Sequence, residues 1–401
     1  MRAMKRLLLS MVTAAALASA TLFSQSAPPV SQTRLVNAAN EPQNWLMMNG
    51  DYGSIRYSKL TEINRQNVKN LRPVWGMRTG RVRWDVEVAD YKTGHSLTSA
   101  PLAVKDKVIV GMAGAEYGVR GFLDAYDAAT GKRAWRLWTV PGPGEPGHET
   151  WSGDSWKYGG ATTWVTGAFD PETNLLYWGT GNPGPDFIGD ARAGDNLYAD
   201  SMIAVDADTG ALRWHFQFTP HDVNDIDSTE IPILIDAEFR GRPRKLLLFA
   251  NRNGFYYIFD RVTGEYLHAK AFARQTWAKG LDPKGRPIPN PDTVPSAKGA
   301  LVYPDDDGVT NWFSPSYSPQ TKTFYQNVRE KGGIYSRNEA VYQPGRMYLG
   351  ASKRAVPDEE PWGALRALDP LTGDMGSLAC VNIGRARPVS SENGLNRSEN
   401  F

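Results

Sequence analysis

Between Thr219 and Ser228 the chain reads TPHDVNDIDS, which sets Asp222, Asp225 and Asp227 within six residues. Carboxylates this close together have two chemical uses. Exposed, they cap turns and stay hydrated. Converging on one point, they supply hard oxygen ligands to a cation of calcium size, and one of them can also accept a proton. Side chains two apart on an extended segment, as Asp225 and Asp227 are, can point the same way. Which use applies depends on the elements that hold the segment.

Those elements repeat. YDAATGKRAW from Tyr126, VDADTGALRW from Val205, FDRVTGEYL from Phe259 and LDPLTGDM from Leu368 share one phrase. Each reads as a strand, an Asp-x-x-Thr-Gly turn and another strand, with Asp capping the turn and Gly taking positive φ. FDPETNLLYWGTG from Phe169 and YSPQTKTFYQN from Tyr317 are related phrases without the glycine. The turns recur irregularly around the length of a four-stranded propeller blade, about 40–50 residues. Stretches such as KVIVGMAG and KLLLFANR supply short strands, and 13 Trp and 17 Tyr supply packing between blades. The expected fold is all-β, a β-propeller of four-stranded antiparallel blades. A sandwich with similar hairpins is the alternative.

Composition narrows the function. The opening MRAMKRLLLSMVTAAALASA places Arg2, Lys5 and Arg6 before an apolar run, and Ala18-Ser19-Ala20 offers a cleavage site. That pattern predicts a secretory signal over residues 1–20, with cleavage as late as residue 27, and a periplasmic protein. No segment reaches the roughly 20 apolar residues that cross a bilayer, so no membrane span is expected. A formal charge of +2 without a basic block argues against nucleic acid. Cys380 is the single cysteine, which excludes an intramolecular disulfide and a C-x-x-C-H haem attachment. The propeller is expected over residues 28–374, with an irregular or disordered tail over 375–401.

Five stretches carry a resemblance: NWLMMNGDYGSIRYSKLTEINRQNVKNLRPVW, GAEYGVRG, TTWVTGAFDPETNLLYWGTGNPGP, TPHDVNDID and LLLFANRNGFYYIFDRVTGE. Together, from about Asn44 to Gly373, they resemble the quinoprotein alcohol dehydrogenases, exported eight-bladed propellers that use pyrroloquinoline quinone (PQQ). The resemblance implies that Glu116 and Asn182 bind a metal ion and that Asp225 is both base and metal neighbour. It implies that Arg252 contacts the quinone oxygen and that the planar cofactor lies on Trp164. Thr98, Asn311 and Trp312 match further cofactor contacts.

The residue types agree with these roles. Glu116, Asn182 and Asp225 are hard oxygen donors, suited to calcium-like ions rather than zinc or copper. A tryptophan face is a rigid platform for a flat heterocycle. In this family a second aspartate two residues beyond the base marks members that resemble the lanthanide-dependent enzymes. Asp227 is therefore expected as a fourth metal ligand, favouring a lanthanide(III) ion over Ca2+. The expected reaction is oxidation of a small primary alcohol or aldehyde, with electrons leaving to a separate periplasmic cytochrome c. A non-catalytic propeller scaffold is the rival.

Three departures from the family bear on activity. LRPVWGMRTG and VRWDVEVADYKTG meet at Thr79-Gly80, without the intervening chain or the adjacent cysteines that relatives carry there. Alternation stops after ALDPLTGDM, so closing blades are expected to be missing. Ala113 stands where many relatives have a serine that bonds the cofactor. An open ring would expose sheet edges, with impaired activity or a homodimer as the outcome.

Overall fold

The computed structural model describes residues 29–64, 66–68 and 82–381. The leader, the Thr79-Gly80 junction and residues 382–401 lie outside the described residues. The first sheet joins β1 (Leu102–Val104), β2 (Lys107–Gly111), β3 (Phe122–Asp127) and β4 (Arg133–Trp138) in chain order. The second does the same with β5 (Ala168–Asp170), β6 (Leu175–Gly179), β7 (Ser201–Asp206) and β8 (Leu212–Gln217). The third comprises β9 (Ile233–Phe239), β10 (Arg242–Ala250), β11 (Phe255–Asp260) and β12 (Tyr266–Ala271). A hairpin of β13 (Ala278–Leu281) and β14 (Pro287–Pro289) and a strand β15 (Ala300–Val302) follow. The fourth sheet starts with β16 (Ser316–Ser318) and β17 (Thr323–Glu330). The chain then detours through β18 (Gly333–Arg337) and β19 (Ala351–Ala355), which pair with β15. It returns in β20 (Trp362–Leu368) and β21 (Met375–Val381). These antiparallel four-stranded sheets are the propeller blades that the repeat phrase predicts.

Strand sequences explain the stacking. The third sheet is buried on both faces, so its central strands read as continuous apolar runs rather than alternating ones. Leu247, Phe249, Tyr257 and Phe259 pack with Tyr177, Met202 and Phe218 of the second sheet and its flank. The alternate residues Leu246, Leu248, Tyr256 and Ile258 face the other way and pack with Phe324, Val328 and Leu368 of the fourth. A third cluster joins Ile109, Leu123 and Trp135 to Leu176, Trp178 and Ile203, between the first and second sheets. Among the described residues no core cluster joins the first sheet to the fourth.

The repeated turns lock adjacent blades. Gly131, Gly210 and Gly264 have φ of +73°, +75° and +77°. Trp84, Trp135 and Trp214 lie over these glycines in turn, where a Cβ would come within 2.6–2.7 Å of an indole carbon. Each indole Nε1 donates to the carbonyl following the turn aspartate: Ala128 at 3.0 Å, Ala207 at 3.2 Å and Arg261 at 3.1 Å. At the next interface His268 occupies the same place after Gly264, and its Nε2 bonds the Thr372 carbonyl at 3.0 Å.

The structure departs from the expected irregular tail over its first residues. Residues 375–381 form β21, paired with β20 from Leu368↔Met375 to Gly363↔Val381. The Asp369–Gly373 turn feeds the chain back along the β20 edge, and backbone pairing there needs no alternation of side chains.

Candidate functional site

Strand direction places the site. Neighbours in each sheet are antiparallel, so the connections between second and third strands, and those entering the first strand, lie at the end opposite the Asp-x-x-Thr-Gly turns. Glu116 lies in the β2–β3 connection, Asn182 in β6–β7, Asp225 and Asp227 in β8–β9, and Arg252 in β10–β11. Thr98, Trp164 and the pair Asn311–Trp312 precede β1, β5 and β16. Residues far apart in sequence thus share one end of the blades.

Local hydrogen bonds shape the acidic segment. The Asp222 carboxylate accepts the amides of Asn224 (2.8 Å) and Ile226 (2.7 Å), which turns the chain between them. Asp225 sits inside this turn with φ of +57°, a left-handed conformation that aspartate tolerates better than most residues. Asn251 donates to the Ser228 hydroxyl (2.8 Å), tying the segment to the NRNG turn. Gly308 is required beside it, because a Cβ there would lie 1.9 Å from Arg252 Cγ.

Asp227 is the hub. Its Oδ1 accepts the Asn182 amide at 2.6 Å, and its Oδ2 accepts Trp164 Nε1 at 3.0 Å and Arg252 Nη1 at 2.5 Å. Arg252 Nη2 also bonds the Asp306 carbonyl and lies 3.8 Å from Asp225 Oδ2. Thr98 donates to the Trp164 carbonyl at 2.9 Å. The half-buried Trp164 forms one wall of an open slot of about 340 Å³, with Thr98, Met48, Val165, Ile231 and the exposed Trp312. Asn311 does not line it: its Nδ2 bonds the Asp307 carbonyl and its Oδ1 accepts the Trp312 amide.

Around this hub acidic side chains outnumber basic ones. Burial raises the Asp225 carboxyl well above the ordinary range; Arg252 opposes the shift, and Asp186 and Asp227 add to it. Glu116 opens to solvent at the rim, yet its cleft desolvates it, and with the Asp227 charge raises its carboxyl. Burial likewise raises Asp186, Asp200 and Glu230 well above normal, and among the described residues none of their carboxylate oxygens has a hydrogen-bond partner. Burial works against the Arg252 charge, but Asp227, Asp225 and Glu230 outweigh it and keep the guanidinium protonated. The Asn182 Nδ2 is buried without a partner. A buried charge is costly unless paired, so this excess of hard oxygen donors fits a bound cation.

Two features differ from the sequence picture. The oxygens of Glu116, Asp225 and Asp227 do not all approach one another within 4.8 Å; among the described residues the acids that do are Asp305, Asp306 and Asp307. Those three are matched by Lys331, Lys353 and Arg329, which makes them an ion-pair network. Sequence does not distinguish Asp186, Asp200 and Glu230, because a lone acid in a polar loop reads as a turn residue; only burial marks them out.

The chain resembles known proteins in sequence and in fold. Residues 45–93 and 80–270 match the family model described as PQQ, glucose/ethanol/alcohol dehydrogenase, beta-propeller domain. The quinoprotein alcohol dehydrogenase PedH of Pseudomonas putida is 40% identical over 321 residues, 74% of this chain and 54% of that protein. Methanol dehydrogenase [cytochrome c] subunit 1 of Methylorubrum extorquens is 35% identical over 327 residues, 74% of this chain and 52% of the relative. The chain spans about half the length of these curated relatives. A solved europium-containing methanol dehydrogenase superposes with a TM-score of 0.79 at 28% identity, over 87% of this chain and 80% of that one.

Proposed function

The chain belongs to the pyrroloquinoline-quinone-dependent alcohol dehydrogenase family, and on that premise we propose that it is a periplasmic oxidoreductase of primary alcohols or related aldehydes. One observation carries the reading. The apolar slot over Trp164 abuts a carboxylate cluster through the Trp164–Asp227 hydrogen bond, so a flat heterocycle and a hard cation would be neighbours.

In this reading Trp164, Thr98 and Trp312 hold the quinone, with Asn311 ordering the Trp312 backbone beside it. Glu116, Asn182, Asp225 and Asp227 hold the ion. When bound, the quinone and its metal supply the two-electron oxidant and the Lewis acid. Asp225 takes the alcohol proton, and the desolvation that raises its carboxyl makes it the stronger base. Arg252, held protonated by its carboxylate neighbours, presents positive charge where negative charge develops on the oxidant. The additional carboxylate of Asp227 favours a lanthanide over calcium.

Other parts of the reading rest on sequence. Electrons would pass to a separate cytochrome c, a reading supported by the acceptor printed in the name of one relative. Export follows from the leader pattern, and no helix among the described residues is long and apolar enough to cross a membrane. Residues 45–93 and 80–270 match the family model as two stretches that overlap, which supports an internal loss near Thr79-Gly80.

The test is thermal unfolding of the chain alone and with PQQ plus La3+ or Ca2+, followed by alcohol-dependent dye reduction. Ligand that binds only the folded state raises the midpoint. A cooperative but unshifted transition would sink the quinone reading and favour the scaffold.

A further inference from the structure

Asp186 is a carboxylate with no hydrogen-bond partner among the described residues. It is 1% exposed, and neither oxygen has a hydrogen-bond partner. Its backbone is pinned on both sides. The Pro185 carbonyl accepts from Arg192 Nε (3.2 Å) and Nη2 (3.0 Å), and the Phe187 amide donates to the Leu349 carbonyl (2.9 Å). Four residues earlier in the same β6–β7 connection stands Asn182, whose side-chain Nδ2 is near enough to act on the Asp186 carboxyl as a donor and lower it, but falls short of hydrogen-bond geometry. The charges of Glu116 and Asp227 act on it and Asp225 feels its charge in turn, although no three of these carboxylates bring oxygens within 4.8 Å of one another.

The cations in reach are engaged elsewhere. Arg192 bonds the Pro185 and Asp222 carbonyls and Asn196 Oδ1, while Arg252 bonds Asp227 and the Asp306 carbonyl. Asp227, the acid expected from sequence as the additional metal ligand, already receives three hydrogen bonds. Asp186 receives none.

Resting on the quinone–metal reading above, we propose that Asp186 is a fifth protein ligand of the ion, alongside Glu116, Asn182, Asp225 and Asp227, and that it tilts the site towards a trivalent ion. With it, four carboxylates (Glu116, Asp186, Asp225, Asp227) face Arg252, a formal surplus of three negative charges; Arg192, whose charge also acts on Asp186, is offset by Asp222 and Asp200. A divalent ion leaves one of those charges uncompensated in a desolvated pocket; a lanthanide of similar size does not.

The full chain, stripped of metal by chelation, is titrated with Tb3+ alone, without quinone. Emission sensitised by Trp164 reports binding, and lifetimes in H2O and D2O count metal-bound waters. Saturable emission is expected from the unaltered chain. Asp186→Asn should weaken Tb3+ binding about 10–100-fold and raise the water count. Asp186→Glu, which keeps the charge, should recover most of the affinity. Asp200→Asn is the control, because Asp200 is equally buried and unpartnered but has Asp222 as its first acidic neighbour. Its Tb3+ affinity should stay within about twofold.

Unchanged affinity and water count in Asp186→Asn, with binding weakened in Asp227→Ala, would overturn the assignment of Asp186 and leave the quinone–metal reading standing. No saturable emission from the unaltered chain would remove both. Should Asp186→Asn fail to fold, Asp186→Ser is measured in its place. Failure of both to fold without metal would show the carboxyl to be structural, and would also overturn the proposal.

Discussion

Aspartates do opposite work at the two ends of these blades. At the hairpin end, Asp206 Oδ1 accepts the amides of Asp208 and Thr209 and the Thr209 hydroxyl, and its carboxyl is pulled down to about 2, first by the hydrogen bond from Arg213. At the loop end, Asp186 and Asp200 have no donors, and burial raises them. The residue type is the same and the surroundings reverse its meaning. A carboxylate wrapped in donors holds a turn; one stripped of water and donors waits for a proton or a cation. The hairpin end therefore stabilises the fold, while the loop end keeps buried carboxyls without hydrogen-bond partners among the described residues.

The largest test of this contrast is at the base. Asp225→Ala should lower alcohol turnover of the quinone- and metal-loaded protein about 10²–10⁴-fold while the quinone still binds, read from its absorbance. Turnover near the original rate would remove Asp225 from the chemistry. Trp135→Ala breaks the hairpin end alone. It should cost about 3–5 kcal/mol of unfolding free energy yet keep the rise in midpoint that La3+ with quinone induces. Loss of that rise would show the two ends to be coupled.

Acidity separates the ends by sign. Asp206, about 2 when folded against 3.8 for a free carboxyl, contributes stability that is present above about pH 4 and lost as pH falls towards 2. Asp222, raised to about 6 by burial, contributes stability that is full below about pH 4 and lost as pH rises through about 6. The metal-free protein should melt higher at pH 5 than at pH 8, by on the order of 5 °C, and La3+ should shrink the gap. A flat profile over that window would mean that the buried acids are solvated in solution. Next in size, Asp227→Ala should weaken lanthanide binding about tenfold more than calcium binding by calorimetry. Equal losses would count against a lanthanide preference at that residue. Smallest, Asp206→Ala should cost about 1 kcal/mol in a denaturant melt and leave ion affinity unchanged.

Much of the hairpin end was legible because its rules are local. Asp-x-x-Thr-Gly fixes a turn within five residues, and each docking tryptophan follows one turn glycine at a constant offset, as in TGKRAW and TGALRW, and covers the glycine of the next turn. The candidate site was legible only through resemblance. That named Asp225, Asp227, Arg252 and Trp164, but not that Asp227 ties the last two together. Asn311 was expected at the cofactor, and the structure spends its amide on neighbouring backbone. The tail was expected to be irregular from residue 375, yet edge pairing with β20 makes it a strand to Val381.

Sequence by itself determined the turn chemistry, set within five residues, and through its recurrence along the chain the period and the family. Tertiary structure decided which acids are stripped of water. Desolvation comes from segments distant in the chain: Leu349 pinning the Asp186 loop, Gly308 making room for Arg252, Ser228 tied to Asn251. No local pattern encodes that enclosure, so the same letter D stands for a satisfied cap at Asp206 and for an unpaired charge at Asp186.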